Sequence, residues 1–110
     1  MRQGEVWFAN LDPAKGSEQA GKRPVVIVSG NTLNDALPIV IVVPITSKIK
    51  SYPTCVVLQA GRTSGLKKDS EAIPFQIRAL AKKRLTKRIG RIRSEELRGI
   101  LKGLFVVLTH

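Results

Sequence analysis

Hydrophobic residues lie in short runs separated by turn-forming residues, a pattern typical of a small β protein. Gly4–Asn10 alternates around Val6, Trp7, Phe8 and Ala9 and predicts a first strand. Pro24–Ser29 and Ile39–Ile45 are nearly continuous apolar runs rich in β-branched residues, so they predict buried strands. A fourth strand is predicted at Thr54–Leu58, after the turn signal of residues 51–53.

The connecting segments are rich in turn formers. Leu11–Arg23 is a long connection for a small domain, and loops of a dozen residues are uncommon unless they are functional. Asn31–Ala36 predicts one helical turn, and Gly61–Leu66 predicts a loop. Ser70–Leu80 is predicted to be a fifth strand, with Pro74 placing it at a sheet edge or a bulge.

The last predicted element is an amphipathic helix. Ser94 is predicted as its N-cap, and Glu95 and Glu96 suit the positive end of the helix dipole. Gly99 and Gly103 each weaken the helix by about 1 kcal/mol relative to Ala but permit close packing on the sheet or on a second subunit. One apolar stripe is formed by Leu97, Ile100, Leu101, Leu104, Phe105 and Leu108.

The 110 residues suit a single domain, residues 1–110, with one hydrophobic core. The pattern predicts a mainly β fold with a C-terminal helix, arranged as a small curved sheet or barrel. The longest apolar stretch, residues 36–45, is too short to span a bilayer. The N-terminus leads directly into the first strand, and Cys55 is the single cysteine, so we expect a cytoplasmic protein without a membrane contact.

The charge balance points to a polyanionic partner. Nineteen Lys and Arg oppose eight Asp and Glu, which gives a net charge of +11. Self-repulsion of that size disfavours a compact domain, so a nucleic acid is the first candidate partner. An acidic protein and an anionic membrane surface come second and third, and charge alone indicates binding without chemistry.

The sequence lacks the residues of the conventional catalytic sets. His110 is the only histidine, so neither a histidine pair nor a Ser-His or Cys-His nucleophile is available. The eight carboxylates are scattered, which argues against a two-metal nuclease and predicts no metal and no cofactor. The loop at residues 16–24 remains, where Arg23 offers a planar, permanently charged fork to a phosphodiester. Thr46 supplies a hydroxyl to the same phosphate if the two strand ends are neighbours.

Four segments resemble the MazF/PemK toxins, and together they cover essentially the whole chain. They are Gly4–Pro13 with Lys15–Ser29, Val43–Ser47, Gly65–Ser70 with Gln76–Arg78, and Lys87–Ile92. The resemblance implies an SH3-like (CcdB/MazF-type) barrel, a homodimer, and a metal-independent endoribonuclease. Such a toxin cleaves single-stranded RNA at short motifs and pairs with a cognate antitoxin, here expected to have an acidic tail.

The resemblance also assigns residues. The family's catalytic Arg and Thr match Arg23 and Thr46, and Glu18 lies in the active loop as a candidate base. A guanidinium with a pKa above about 12 is a poor base near neutral pH, so Arg23 is assigned to electrostatic stabilisation. The residues expected to bind RNA are Gln19, Lys22, Ser47, Lys48, Lys67, Gln76 and Arg78.

Three other possibilities stay open at this stage. One is a nucleic-acid-binding barrel without catalysis, the second is a toxin of the same fold directed at a topoisomerase, and the third is a toxin with a degraded active site. The segment from Lys82 to Arg93 is basic and contains no acidic residue. It is compatible with a surface that binds phosphates or an antitoxin tail, and equally with a solvated rim.

Overall fold

The computed structural model of the chain describes residues 1–11 and 21–110, which form seven strands and two helices. The strands are β1 (Glu5–Asn10), β2 (Lys22–Ile27), β3 (Ile39–Thr46), β4 (Val56–Leu58), β5 (Ser70–Ala72), β6 (Arg78–Ala81) and β7 (Leu85–Arg91). The helices are α1 (Asn31–Ala36) and α2 (Ser94–Thr109). The predicted mainly β fold with a C-terminal helix is confirmed.

The strands form one strongly curled antiparallel sheet in the order β4-β5-β3-β2-β1-β7, with β6 also paired to β3. Strand β3 is the branch point, because its first half pairs with β6 and its last two residues pair with β5. The curl creates two faces that are both buried. One face packs against α2 around Ile45 and Ile100, and the other encloses Leu11, Val25 and Val42.

The predicted fifth strand, Ser70–Leu80, is wrong as a single element. It is β5 and β6 separated by a 3-10 turn at Pro74–Gln76. Pro74 has no backbone N–H to donate and is therefore suited to begin the turn. The break lets both halves pair with successive parts of β3, which one straight strand could not do.

Two further predictions differ from the structure at element ends. Ser94 is the first residue of α2 and not its N-cap, because the carbonyl of Arg93 accepts the first helical bond, from the N–H of Leu97. The Arg93 N–H in turn donates to the carboxylate of Glu96 at 2.8 Å. Strand β7 was not predicted, since its sequence has only Leu85 and Ile89 as large apolar residues among charges.

A tight crossing fixes the loop that follows β4. Gly65 has φ 75°, and a Cβ there would overlap the carbonyl of Ile89. At Gly90 a Cβ would overlap the backbone of Ser64. Only glycine permits this backbone contact, which holds residues 66–68 beside β7.

No helix within the described residues is long and apolar enough to cross a bilayer. Helix α2 instead lies on its own chain. Gly99 faces Val56, and Gly103 faces the carbonyl of Thr54 and the ring of Pro74. The two glycines therefore serve close packing on the sheet.

The surroundings of these glycines predict opposite effects for two similar substitutions. In Gly99→Ala the new methyl group lies 3.5 Å from Val56, an ordinary contact, so the gain in helix propensity raises the free energy of unfolding by about 1 kcal/mol. In Gly103→Ala the methyl group lies 2.8 Å from the Thr54 carbonyl oxygen, and overpacking lowers stability by about 1–3 kcal/mol. Urea denaturation of both variants checks this, and equal shifts of one sign would contradict the packing described.

Candidate active site

Arg23 and Thr46 lie at neighbouring strand ends. The β2–β3 ladder is antiparallel and includes the pair Val25 and Pro44. This pairing ends two residues short of Arg23 on β2 and of Thr46 on β3. The last two residues of β3 pair with β5 on the other edge of the strand. Arg23 and Thr46 therefore lie at the same end of two neighbouring antiparallel strands.

The larger depression beside these strand ends is a basic groove of about 630 Å³. Its floor is apolar, from Phe8, Ile45 and Leu66, and its walls carry five cationic side chains. These cations are Arg23, Lys67, Lys68, Lys87 and Arg88. Ser47, another residue predicted to bind RNA, also lines the groove. The groove therefore contains three of the predicted site residues, Arg23, Ser47 and Lys67.

Thr46 lines a second, smaller pocket of about 290 Å³. The predicted RNA-binding residues Lys48 and Gln76 lie in the same pocket. Because Thr46 and Ser47 are consecutive and line different depressions, the end of β3 separates the groove from the pocket. The predicted residues therefore divide between two adjoining cavities, with Arg23 in the groove and Thr46 in the pocket.

The Thr46 hydroxyl is nearly buried, with the residue 9% exposed. Its oxygen accepts a hydrogen bond from the backbone N–H of Lys48 at 3.2 Å. A hydroxyl that accepts one bond still has its own proton to donate. Thr46 can thus act as a donor toward a group at the mouth of the pocket.

The remaining predicted residues lie further out or outside the described residues. Lys22 is exposed at the start of β2, opposite Asn10. Arg78 is half-buried on β6, and its guanidinium donates to the carbonyl of Leu11 at 3.4 Å. Glu18 and Gln19 lie outside the described residues.

Glu5 is a site residue that the sequence did not reveal. One carboxylate oxygen accepts from the Arg2 N–H at 2.9 Å and from the Trp7 indole at 3.0 Å, and the other pairs with Arg88 at 3.0 Å. Burial alone would raise its pKa, but the two hydrogen bonds and the Arg88 charge outweigh burial, so the pKa lies below its usual value. Glu5 holds Arg88 at the wall of the basic groove.

Glu71 is the second such residue, only 2% exposed. It lies opposite Thr46 in the β3–β5 pairing, and its carboxylate accepts the backbone N–H groups of Lys50 at 3.3 Å and Ser51 at 3.0 Å. Burial, with the neighbouring Glu71 charge, raises the pKa of the Cys55 thiol to about 11, so this thiol is neutral near pH 7. The available sequence signal for Glu71 was an acidic residue inside a predicted strand of a strongly basic chain.

Among residues 1–11 and 21–110, no three His, Cys, Asp or Glu side chains cluster as metal ligands would.

Comparison with known proteins gives consistent matches over nearly the whole chain. Residues 2–108 match the family described as PemK-like, MazF-like toxin of type II toxin-antitoxin system. Endoribonuclease MazF9 of Mycobacterium tuberculosis is 45% identical over 103 residues, covering 88% of this chain and 86% of that protein.

Solved structures share the fold at lower identity. MazF from Deinococcus radiodurans superposes with a TM-score of 0.86 at 23% identity, covering 100% of this chain and 97% of that one. A mycobacterial endoribonuclease in complex with its cognate antitoxin gives a TM-score of 0.82 at 23% identity, covering 98% and 94%. The curled sheet with its C-terminal helix is thus a known architecture.

The pairing of Glu5 predicts acid sensitivity. A carboxyl whose pKa is lowered by folding adds stability above its unfolded pKa and loses it as the pH falls through the lowered folded value. Glu5→Gln keeps the shape and the bonds from Arg2 and Trp7, but turns an amide N–H₂ toward Arg88. We expect this variant to lose about 1–3 kcal/mol of unfolding free energy near pH 7 and to flatten the decline in stability toward acid.

Thermal unfolding from pH 7 to pH 3 measures both effects. Asp35→Asn is the matched control, because Asp35 pairs with Arg2 at 2.7 Å on an exposed surface, where ion pairs contribute little. A Glu5→Gln variant with the wild-type pH profile would refute the role of this carboxylate.

Proposed function

The chain belongs to the PemK-like, MazF-like toxins of type II toxin–antitoxin systems, and we propose that Arg23 and Thr46 are its catalytic pair. It is an endoribonuclease toxin. Its partners are single-stranded RNA, a cognate antitoxin and a second copy of the chain. We further place it in the cytoplasm, and we assign an acidic tail to the antitoxin because the groove that must be covered is basic.

The observation that supports the catalytic assignment is the position of the two strand ends. Arg23 near the start of β2 and Thr46 at the end of β3 lie at the same end of an antiparallel pair, Arg23 in the basic groove and Thr46 in the adjoining pocket. A phosphodiester at this strand end meets a guanidinium from β2 and a hydroxyl from β3. Donors aimed at the non-bridging oxygens stabilise the charge that develops there in the transition state.

The reaction we propose needs no nucleophile from the protein. The RNA 2′-hydroxyl oxygen forms a bond to the adjacent phosphorus while the bond from phosphorus to the 5′-oxygen breaks. The products are a 2′,3′-cyclic phosphate and a 5′-hydroxyl. The 2′-hydroxyl proton passes to a general base, for which Glu18 is the candidate, and the leaving 5′-oxygen takes up a proton from solvent water.

The remaining predicted contacts divide by location. Ser47 and Lys67 in the groove would hold the RNA backbone, and Lys48 and Gln76 in the pocket would contact the nucleotide beside Thr46. Gln19, Lys22 and Arg78 stay as predicted contacts at the rim.

Substitutions at the two catalytic positions test the assignment. Arg23→Ala removes the charged fork, and we expect RNA cleavage to fall by about 10²–10³-fold or more while the fold is kept, because Arg23 is exposed. Thr46→Val removes the hydroxyl with a side chain of the same shape, and Thr46→Ser retains it. We expect the Val variant to lose cleavage and the Ser variant to keep most of it.

Cleavage of a long single-stranded RNA in EDTA, followed by primer extension, measures these rates and maps the sites. Circular dichroism serves as the folding control. An Arg23→Ala protein that cuts RNA at the wild-type rate would overturn the assignment.

The basic groove predicts a steep salt dependence. Suppose that all five groove cations neutralise phosphates. A plot of the logarithm of the RNA association constant against the logarithm of the salt concentration then has a slope of about −3.5. Replacing Lys67 and Lys68 by Gln should bring the slope to about −2.1. Fluorescence anisotropy of a labelled RNA, with a 2′-deoxy residue at the mapped cleavage site to prevent cutting, gives the slope. A flat response would show that the groove does not bind the backbone.

A further inference from the structure

Two aromatic rings stand side by side at the smaller pocket. The centroids of Tyr52 and Phe75 are 6.3 Å apart with a 53° angle between the rings. Tyr52 is 52% exposed and Phe75 45% exposed. The ammonium of Lys50 lies 6.0 Å from the centre of the Tyr52 ring. Adjacent exposed aromatic surface on a protein with a net charge of +11 marks a binding site.

We propose that Tyr52 and Phe75 form a nucleobase subsite that stacks one base of the RNA next to the cleaved phosphate. This inference rests on the endoribonuclease function proposed above and deepens it. The rings offer flat π-faces of the kind on which single-stranded bases stack, and sequence-specific RNA recognition targets such unpaired bases.

The position of the rings relative to Thr46 identifies which nucleotide they would bind. Thr46, Lys48, Tyr52 and Phe75 line one pocket. A phosphate near the Thr46 hydroxyl therefore places its neighbouring base within this pocket. Lys48 and Lys50 beside the rings suit the negative charge of the same strand.

The loop that carries Tyr52 is held in place by hydrogen bonds to a buried carboxylate. The Glu71 carboxylate accepts the N–H groups of Lys50 and Ser51, directly before Tyr52. Ser51 has φ 56° and Thr54 has φ 73°, conformations that non-glycine residues adopt only when the surroundings enforce them. A platform ordered before the RNA arrives loses less entropy on binding.

Glu71 therefore connects recognition to catalysis. It lies opposite Thr46 in the β3–β5 register while it binds the loop backbone. Its contacts join the loop that carries the rings to the strand position opposite Thr46. The base stacked on Tyr52 and Phe75 would then determine part of the cleaved sequence motif.

An abasic scan tests the subsite. Purified wild-type protein first defines a cleaved motif, and each nucleotide around the cut is then replaced in turn by an abasic ribose. We expect one position at which the missing base lowers the cleavage rate about tenfold or more. Tyr52→Ala should cut the intact RNA about tenfold more slowly and should lose nothing further at that position. Tyr52→Phe, which keeps the ring, should behave as wild type.

Phe105→Ala is the matched control, because Phe105 is an aromatic residue 65% exposed on α2 and does not line the pocket. It should keep the wild-type ratio between intact and abasic RNA. If Tyr52→Ala keeps the wild-type ratio of cleavage rates between intact and abasic RNA, or cuts every RNA more slowly by the same factor, the proposed subsite is wrong. The assignment as a nuclease would not be affected by that result. A changed oligomeric state of Tyr52→Ala in analytical ultracentrifugation would also overturn the subsite, since the rings would then contact a second copy. Failure of wild type to cut any RNA would instead remove the function itself.

Discussion

The backbone of β3 is hydrogen-bonded along both edges, and this double pairing determines where the candidate catalytic residues lie. One edge pairs with β2, which brings Arg23 toward the end of β3. The other edge pairs first with β6 and then with β5, which sets Glu71 opposite Thr46. A strand paired along both edges cannot slip by one residue without breaking both sets of hydrogen bonds and exchanging the side chains of its two buried faces. The register is thus protected by the core.

Most acidic residues of the described ranges serve as acceptors for backbone N–H groups. Six of the eight lie within the described residues, and four of these accept backbone N–H groups. These four are Glu5, Asp69, Glu71 and Glu96. Their charge is used to hold strand ends, loops and the start of α2. Arg88 in the groove is paired with Glu5, but the net charge of +11 leaves an excess of positive charge that favours a polyanionic ligand.

Much of the fold was predictable because it follows from local pattern. The strands at Gly4–Asn10 and Ile39–Ile45 and the apolar stripe of α2 follow directly from periodicity. Strand β7 was missed because its pairing with β1 compensates for a polar sequence, and that pairing is not local. An irregularity at Pro74 was expected. That the break lets β5 and β6 pair with two different parts of β3 depends on contacts across the whole sheet. The residues Arg23 and Thr46 could be selected from sequence, whereas Glu5 and Glu71 acquire their roles only through contacts distant in sequence.

The two adjoining cavities suggest how a protein with a single histidine could achieve both cutting and selectivity. The groove presents charge on an apolar floor and suits the RNA backbone, which is the same for every sequence. The pocket presents aromatic rings on a braced loop and suits a base, which differs between sequences. Thr46 and Ser47, at the end of β3, line different cavities. An RNA strand bound in both cavities therefore has a phosphate at the boundary between them. On our proposal, selectivity follows from that geometry, because only an RNA whose base fits the pocket places its 2′-hydroxyl and phosphate in line beside Arg23 and Thr46.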